Sequence, residues 1–153
     1  MDPTGFLRYL RTQPFYRDQL EHMQRLPSRR ARYARLSHPL PPALDAALKG
    51  IGVERFFRHQ AQAIDAVRDG QHVVVATGTA SGKTLAYNVP VVEAALLDPQ
   101  ARALYLFPTK ALAQDQLRAL KELTRGLRGD GRALSFGTYD GDTPQSTRTR
   151  LRR

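Results

Sequence analysis

The stretch of the sequence with the clearest chemical potential is Ala76–Thr84, which reads ATGTASGKT and follows the apolar run HVVV. Its end resembles the phosphate-binding pattern G-x-x-x-x-G-K-[ST], in which the lysine reaches the β- and γ-phosphates and the hydroxyl binds Mg²⁺. Lys83 and Thr84 are therefore candidates for those two roles, and Gly82 allows backbone and phosphate to approach without a Cβ between them. The pattern requires glycine where this chain has Thr77, so the match is incomplete.

The segments on either side of this loop are suited to holding a phosphate. Residues 72–76 form a continuous apolar run, which predicts a strand buried on both faces of a parallel sheet. A helix is predicted from Lys83 to about Leu97. A loop between a strand and a helix start directs backbone N–H groups at one point, where the helix dipole adds positive potential.

The same alternation continues downstream. A second buried strand is predicted over 103–107, followed by a helix that Thr109 caps, with Leu112, Leu117 and Leu120 as its buried stripe. A third candidate strand covers 133–139. Strands that alternate with helices through tight connections predict an α/β fold with a parallel sheet flanked by helices.

Upstream of the loop, helical patterns and a connector are predicted. Asp2-Pro3 can cap a short helix, and PALDAALKG and RHQAQAIDAVRDG have helical spacing, the latter with Ala63, Ile64 and Val67 facing inward. Between Arg25 and Pro42, prolines and arginines predict an exposed, extended connector. Its five arginines are either solvated or in contact with nucleic acid, and they are Arg25, Arg29, Arg30, Arg32 and Arg35.

The loop resembles motif I of superfamily 2 helicases of the DEAD/DEAH-box class, which often reads A-x-T-G-x-G-K-T. Among them, TGTASGKT is most similar to the RecQ-like DNA helicase branch, whose loops carry T-A-S-G-K-[ST], so Thr77 and Ala80 both fit that branch. The resemblance implies a partial RecA-like (P-loop NTPase) fold, with ATP and Mg²⁺ as cofactors and Lys83 and Thr84 as catalytic residues. The residues implied to contact ATP are Gln60, Thr79, Ala80, Ser81, Gly82, Lys83 and Thr84.

Two further stretches carry the resemblance. RFFRHQAQAI is similar to the Q motif, and its glutamine, Gln60, would read adenine, because an amide can pair with both N6 and N7. Phe57 or Arg58 would stack on the base. PTKALAQDQ is similar to motif Ia, in which Thr109, Lys110 and Gln114 would contact the backbone of a nucleic-acid strand.

Composition agrees with a nucleic-acid partner. The chain has 24 basic and 14 acidic residues, a net charge of +10, which favours association with polyanions. The branch resemblance implies DNA rather than RNA. YDGDTP, residues 139–144, resembles the stretch that follows motif Ia, and Thr143-Pro144 could open a helix whose arginines line a strand path or are merely solvated. Those arginines are Arg148, Arg150, Arg152 and Arg153.

Cysteine is absent, which excludes disulfides and cysteine metal sites, and no apolar run reaches 18 residues. The N-terminal residues lack the apolar core of a secretory signal. We therefore expect a soluble cytoplasmic protein with no membrane partner.

The resemblance covers roughly residues 40–151, with residues 1–40 as an N-terminal helical extension and basic linker and 41–153 as an incomplete first RecA-like domain. These residues include neither a DExH segment nor the second RecA-like domain that would supply an arginine finger. We therefore expect a fragment of a longer helicase that is inactive alone. Two alternatives remain open: a small P-loop phosphotransferase using Asp140 or Asp142 as its metal-binding acid, and a non-catalytic basic nucleic-acid-binding module.

Overall fold

The computed structural model describes residues 2–27, 30–78, 81–127 and 134–151. The described residues form six helices and two short strands: α1 (Pro3–Arg11), β1 (Tyr33–Ala34), α2 (Pro42–Gly50), β2 (Phe56–Phe57), α3 (Arg58–Arg68), α4 (Lys83–Leu97), α5 (Lys110–Arg125) and α6 (Gln145–Leu151). The chain divides into two compact units, Met1–Arg30 and Ala31–Arg153. The predicted domain boundary at residue 40 stays a prediction. No helix within the described ranges has the length and apolar character needed to cross a bilayer.

The first unit contains α1, whose start follows directly from the sequence. The Asp2 carboxylate accepts hydrogen bonds from the N–H groups of Thr4 and Gly5 at 3.0 and 2.9 Å, and Pro3 occupies the first helical position. The predicted cap is confirmed. None of the side chains of α1 is buried, and Phe6 is 49% exposed.

The core of the second unit lies between α2, α3, α4 and α5. Its buried side chains are Leu44, Ala47, Leu48, Ile64, Val89, Val92, Leu123 and Leu127. Helical spacing predicted α2 and α3 as helices, and the predicted inward positions Ala63 and Ile64 of α3 are buried. Burial of these side chains fixes the positions of the N-termini of α3 and α4, where the candidate site lies.

Two predicted core positions are wrong. Val67 is 41% exposed, because the buried face of α3 runs through Gln60, Ala61, Ala63 and Ile64 instead. Leu112 is 42% exposed, since α5 enters the core only in its C-terminal half, where Leu123 is buried.

A short antiparallel ribbon joins the predicted connector to the start of α3. Tyr33 pairs with Phe57 and Ala34 with Phe56, and the Arg58 N–H donates to the carbonyl of Arg32 at 2.8 Å. The predicted connector is extended here and Tyr33 is exposed, but its pairing with Phe56 and Phe57 was not predicted. Pairing between segments more than 20 residues apart leaves no local signal in the sequence.

The three predicted parallel strands are not formed as hydrogen-bonded strands within the described residues, and these individual predictions are wrong. Val74 is 93% exposed, and Leu104 and Leu106 are each 83% exposed. Tyr105 and Phe107 alternate with them and are half-buried. An apolar run reports a tendency to be buried, whereas a parallel strand also needs a neighbour from a distant part of the chain. The segments still precede the N-termini of α4 and α5, as predicted.

Candidate nucleotide and nucleic-acid site

The ammonium group of Lys83 lies against the loop that precedes its own helix. Its Nζ donates to the carbonyl oxygens of Gly78 at 2.6 Å and Thr77 at 3.1 Å, and it lies 3.3 Å from Ser81 Oγ. The Thr77 and Ser81 hydroxyls are 2.6 Å apart. Thr77, Gly78 and Ser81 therefore surround the Lys83 ammonium group at the N-terminus of α4. Thr79 and Ala80, two of the predicted ATP contacts, lie outside the described residues.

Gly82 occupies a position that excludes a side chain for two reasons. Its φ is +74°, in the left-handed region, and it forms the N-cap of α4. A Cβ at this position would lie 2.6 Å from Gln60 Nε2. Within the described part of the chain, no backbone acceptor is paired with the N–H groups of Gly82, Lys83 or Thr84. These donors and the dipole of the 15-residue α4 give the loop positive potential.

Gln60 holds the loop from the start of α3. Its side chain is buried, with the residue only 2% exposed, and Nε2 donates to the Gly82 carbonyl at 2.8 Å. Its Oε1 accepts from the Phe57 N–H at 2.8 Å. Both ends of the amide are thus paired with backbone groups, so pairing with adenine requires an exchange of these partners. The adenine contact stays a prediction, and the bracing of the loop is a role that the sequence did not indicate.

His59 adds a second brace that sequence reasoning missed. Its Nε2 lies 3.0 Å from the carbonyl oxygen of Ser81. A carbonyl only accepts, so Nε2 carries the proton. The histidine precedes Gln60 at the start of α3, but nothing in the residue types marks it as a loop contact.

The aromatic side chains beside the site stack on one another. The Phe57 ring is stacked with Tyr33 at 5.2 Å and with His59 at 5.9 Å between centroids. The Arg55 guanidinium lies 4.1 Å from the centroid of Tyr33. The predicted stacking of Phe57 or Arg58 on a base is untested, and Phe57 already has ring partners.

Thr84, the predicted Mg²⁺ ligand, is half-buried in the first turn of α4. Its Oγ1 is 3.4 Å from the hydroxyl of Tyr87, which donates to Gln116 Oε1 at 2.5 Å. No cluster of three or more histidine or acidic side chains suited to a metal occurs in the residues described.

A buried ion pair connects the two helices that meet at the loop. Arg68 on α3 donates to both carboxylate oxygens of Glu93 on α4, at 2.8 and 2.7 Å, and Nη1 donates to the His38 carbonyl at 2.9 Å. The hydrogen bond to Glu93 raises the pKa of Arg68 above its ordinary value. A two-point contact of this kind fixes the relative orientation of α3 and α4.

The predicted motif Ia residues lie at the start of α5. The Thr109 hydroxyl accepts from the Leu112 N–H at 3.2 Å, which confirms the predicted cap. Lys110 and Gln114 are exposed one helical turn apart. Lys110 forms an ion pair with Asp142, and the hydrogen bond to Asp142 raises the pKa of Lys110. The structure thereby brings motif Ia next to the YDGDTP stretch.

The YDGDTP stretch forms a turn that Arg148 closes. Arg148 on α6 donates to the carbonyls of Thr143 at 2.9 Å and Asp140 at 2.7 Å. A hydrogen bond from Thr143 lowers the pKa of Asp140. Arg148 therefore stabilises the turn through these hydrogen bonds, whereas Arg150 is exposed. Arg152 and Arg153 lie outside the described residues.

Comparison with known proteins gives the same identification as the motifs. The chain is 39% identical over 144 residues to the ATP-dependent helicase HRQ1 of Saccharomyces cerevisiae, covering 94% of this chain and 13% of that protein. It is 43% identical over 121 residues to the uncharacterized ATP-dependent helicase YprA of Bacillus subtilis, covering 76% of this chain and 16% of that protein. The chain therefore spans about one-sixth of these relatives or less.

Structural similarity supports the predicted fold class. The crystal structure of the DUF1998 helicase MrfA bound to DNA and AMPPNP superimposes with a TM-score of 0.75 at 41% identity, covering 82% of this chain and 17% of that one. The predicted partial RecA-like fold and the predicted helicase family are confirmed. The family model for the DEAD/DEAH box helicase matches residues 57–153, so this chain belongs to the DEAD/DEAH box helicase family.

Proposed function

We propose that this chain is the ATP-binding and nucleic-acid-binding part of an ATP-dependent DNA helicase of the cytoplasm. The observation that carries the proposal is the phosphate loop at the start of α4, where Gln60 and His59 hold the backbone and Lys83 places its ammonium in the loop. Membership of the DEAD/DEAH box helicase family supports the same reading.

Triphosphate binding follows from the groups that the loop presents. Phosphate oxygens replace the carbonyls of Gly78 and Thr77 as partners of Lys83, and charge-assisted hydrogen bonds to phosphate are stronger than those to neutral carbonyls. The N–H groups of Gly82–Thr84 donate to the same anion. Because Gln60 and His59 hold the loop backbone in place, little of this binding energy is lost in ordering the loop.

The residues present fit Mg²⁺ as part of a nucleotide complex. A hydroxyl oxygen is a hard ligand, and Mg²⁺ at phosphate sites takes few protein ligands and keeps phosphate oxygens and waters. Thr84 is the residue that would hold it, through Oγ1. When bound, the ion neutralises charge on the β- and γ-phosphates.

Strand binding occurs at the start of α5 in this proposal. Thr109, Lys110 and Gln114 contact backbone phosphates, which carry no base identity and so suit movement along any sequence. DNA is the favoured strand because MrfA was crystallised with DNA and because the chain is 38% identical over 104 residues to the ATP-dependent DNA helicase Hel308 of Thermococcus kodakarensis. The net charge of +10 supports a polyanionic partner.

Hydrolysis needs groups that the family supplies outside these motifs, namely an acidic metal ligand and an arginine finger. The 153 residues alone therefore bind ATP weakly and turn it over poorly, and unwinding is carried out by the longer helicase.

The test measures ATP affinity in the presence of Mg²⁺ for the chain and for Lys83→Ala. We expect a loss of at least about tenfold, because hydrogen bonds to charged groups contribute about 1.5–3 kcal/mol. Lys49→Ala is the matched control, since Lys49 is an exposed lysine paired with Asp45 on α2. Equal affinity in both variants would contradict the proposal.

Single-stranded DNA binding is measured alongside over a salt series. Lys110→Ala should make the log–log salt slope shallower by about 0.7, the contribution of one phosphate contact on a single strand. Phosphate transfer to a small molecule would support a phosphotransferase instead of a helicase part. DNA binding with no ATP affinity would support a non-catalytic nucleic-acid-binding module.

A further inference from the structure

The register of the β1–β2 ribbon places arginine opposite arginine at both of its ends. The two strands are antiparallel, with Tyr33 opposite Phe57. Continuing that register past the paired positions gives two cross-strand pairs of arginines, which are Arg32 with Arg58 and Arg35 with Arg55. The Arg58 N–H donates to the Arg32 carbonyl at 2.8 Å, as the register requires. All four arginines are exposed.

The positive charges of the ribbon are not balanced by nearby carboxylates. Like charges directly opposite one another destabilise a ribbon. In the part of the chain that the structure describes, none of the four ribbon arginines forms an ion pair. By contrast, Arg68, Lys110 and Arg118 each pair with a carboxylate. A polyanion bound to the ribbon would relieve the repulsion that the described residues leave in place.

Aromatic rings give the same face of the ribbon flat surfaces. Tyr33 is 44% exposed, and its ring is stacked on that of Phe57 at 5.2 Å between centroids. The Arg55 guanidinium lies over the Tyr33 ring, 4.1 Å from its centroid. Because Arg55 is exposed, the stack ends at a planar cation that solvent can reach. Nucleobases stack on arginine planes and on aromatic rings, and phosphates bind the edges of guanidinium groups.

We propose that the β1–β2 ribbon is a second contact surface for single-stranded nucleic acid, in addition to the start of α5. Arg35 and Arg55 bind backbone phosphates, and the face of the Arg55 guanidinium receives a base. A single strand fits this surface better than a duplex, because the bases of a duplex are already stacked on one another. The inference deepens the proposed function and rests on it, since it presumes that the chain binds a strand.

The first experiment measures binding of the chain to fluorescent oligothymidylate over a salt series. Arg35→Gln with Arg55→Gln should make the log–log salt slope shallower by about 1.4, which is two phosphate contacts at about 0.7 each. The matched control is Arg8→Gln with Arg11→Gln, which removes the same charge from exposed positions of α1 and should leave the slope unchanged. Because the ribbon arginines are exposed and unpaired with acids, both double variants should fold, and ATP affinity equal to that of the unsubstituted chain checks this.

The second experiment separates base stacking from charge. Arg55→Lys keeps the positive charge and removes the planar group. Affinity for oligothymidylate should fall about two- to fivefold, while the salt slope is kept. Affinity for inorganic polyphosphate, a polyanion without bases, should stay the same.

The outcomes separate the inference from the proposed function. A shallower slope in the ribbon variant alone, with a loss in Arg55→Lys that is confined to oligothymidylate, supports the inference. Equal slopes in the two double variants, or no selective loss in Arg55→Lys, overturns it. A ribbon variant that loses ATP affinity and keeps its salt slope also overturns it, because the ribbon would then serve the bound nucleotide.

The proposed function has its own tests, which do not depend on the ribbon. If Lys110→Ala makes the salt slope shallower and the ribbon variant does not, the inference fails and strand binding at α5 stands. If the unsubstituted chain does not bind oligothymidylate, the inference and the strand-binding part of the proposed function fail together. ATP binding is still decided by Lys83→Ala in that case.

Discussion

Replacement of Gly82 by alanine should be far more damaging than the same change at another left-handed glycine. An alanine at φ +74° carries a cost of about 1–2 kcal/mol for the left-handed conformation alone. Its Cβ would also meet Gln60 Nε2 at 2.6 Å. Gln60 Nε2 is the end of a side chain, but that side chain is buried and paired at both ends, so it cannot turn away freely.

The magnitude follows from what Gln60 loses. Moving its amide breaks the hydrogen bond to the Gly82 carbonyl and leaves a buried polar group without its partner, at a cost of about 1–3 kcal/mol. Together with the backbone strain, the expected loss of folding free energy is about 2–5 kcal/mol. Gly52→Ala is the matched control, because its φ is +81° and nothing lies within 4 Å of the added Cβ.

The assay is urea unfolding of the chain and of the two variants, with ATP affinity measured on each. Gly82→Ala should lose about 1–3 kcal/mol more than Gly52→Ala, the share that comes from the unpaired Gln60 amide. In a Gln60→Ala background the difference between the two glycine sites should disappear. If Gly82→Ala is no more destabilising than Gly52→Ala, the argued contact between the loop and α3 is refuted.

Three further predictions concern other contacts of the second unit. Arg68→Met should lower the free energy of unfolding by about 3–5 kcal/mol, because it leaves the buried carboxylate of Glu93 without its partner. A loss below about 1 kcal/mol, as found for exposed ion pairs, would contradict a stabilising role for the Arg68–Glu93 pair. Burial raises the pKa of Tyr105 to about 12, so its neutral form contributes stability that is present below pH 10 and lost between pH 10 and about 12. In Tyr105→Phe the free energy of unfolding should therefore fall less steeply between pH 10 and about 12. An equally steep fall in the variant would contradict the assignment of this decline to Tyr105. Asp142→Asn should strengthen single-stranded DNA binding at low salt by up to about fivefold, because it frees Lys110; persistence of the effect in a Lys110→Ala background would show that Asp142 acts in another way.

Local signals in the sequence predicted the helix starts well. The Asp2 cap, the start of α4 at Lys83 and the Thr109 cap each depend on residues within three or four positions of one another. Capping and helical spacing are short-range effects, so they are legible in the sequence without knowledge of the fold. The stretch Ala76–Thr84 could be singled out as a candidate phosphate loop for the same reason.

Contacts between distant segments could not be predicted in this way. The Gln60 amide and the Gly82 carbonyl are 22 positions apart, and Lys110 and Asp142 are 32 positions apart. The apolar run at 72–76 predicted a buried strand, yet Val74 is 93% exposed because no described segment pairs with it. Residue type gives the tendency of a segment, and the partner decides whether that tendency is satisfied.

In the proposed function, the backbone amides at the start of α4 converge on the triphosphate of ATP. The most direct test is to follow the amide resonances of the ¹⁵N-labelled chain while ATP and Mg²⁺ are added. The largest shifts should fall on Ser81, Gly82, Lys83 and Thr84, and they should vanish in Lys83→Ala. Unmoved amides at these four residues, with shifts confined to the arginine-rich stretch 30–35, would contradict it.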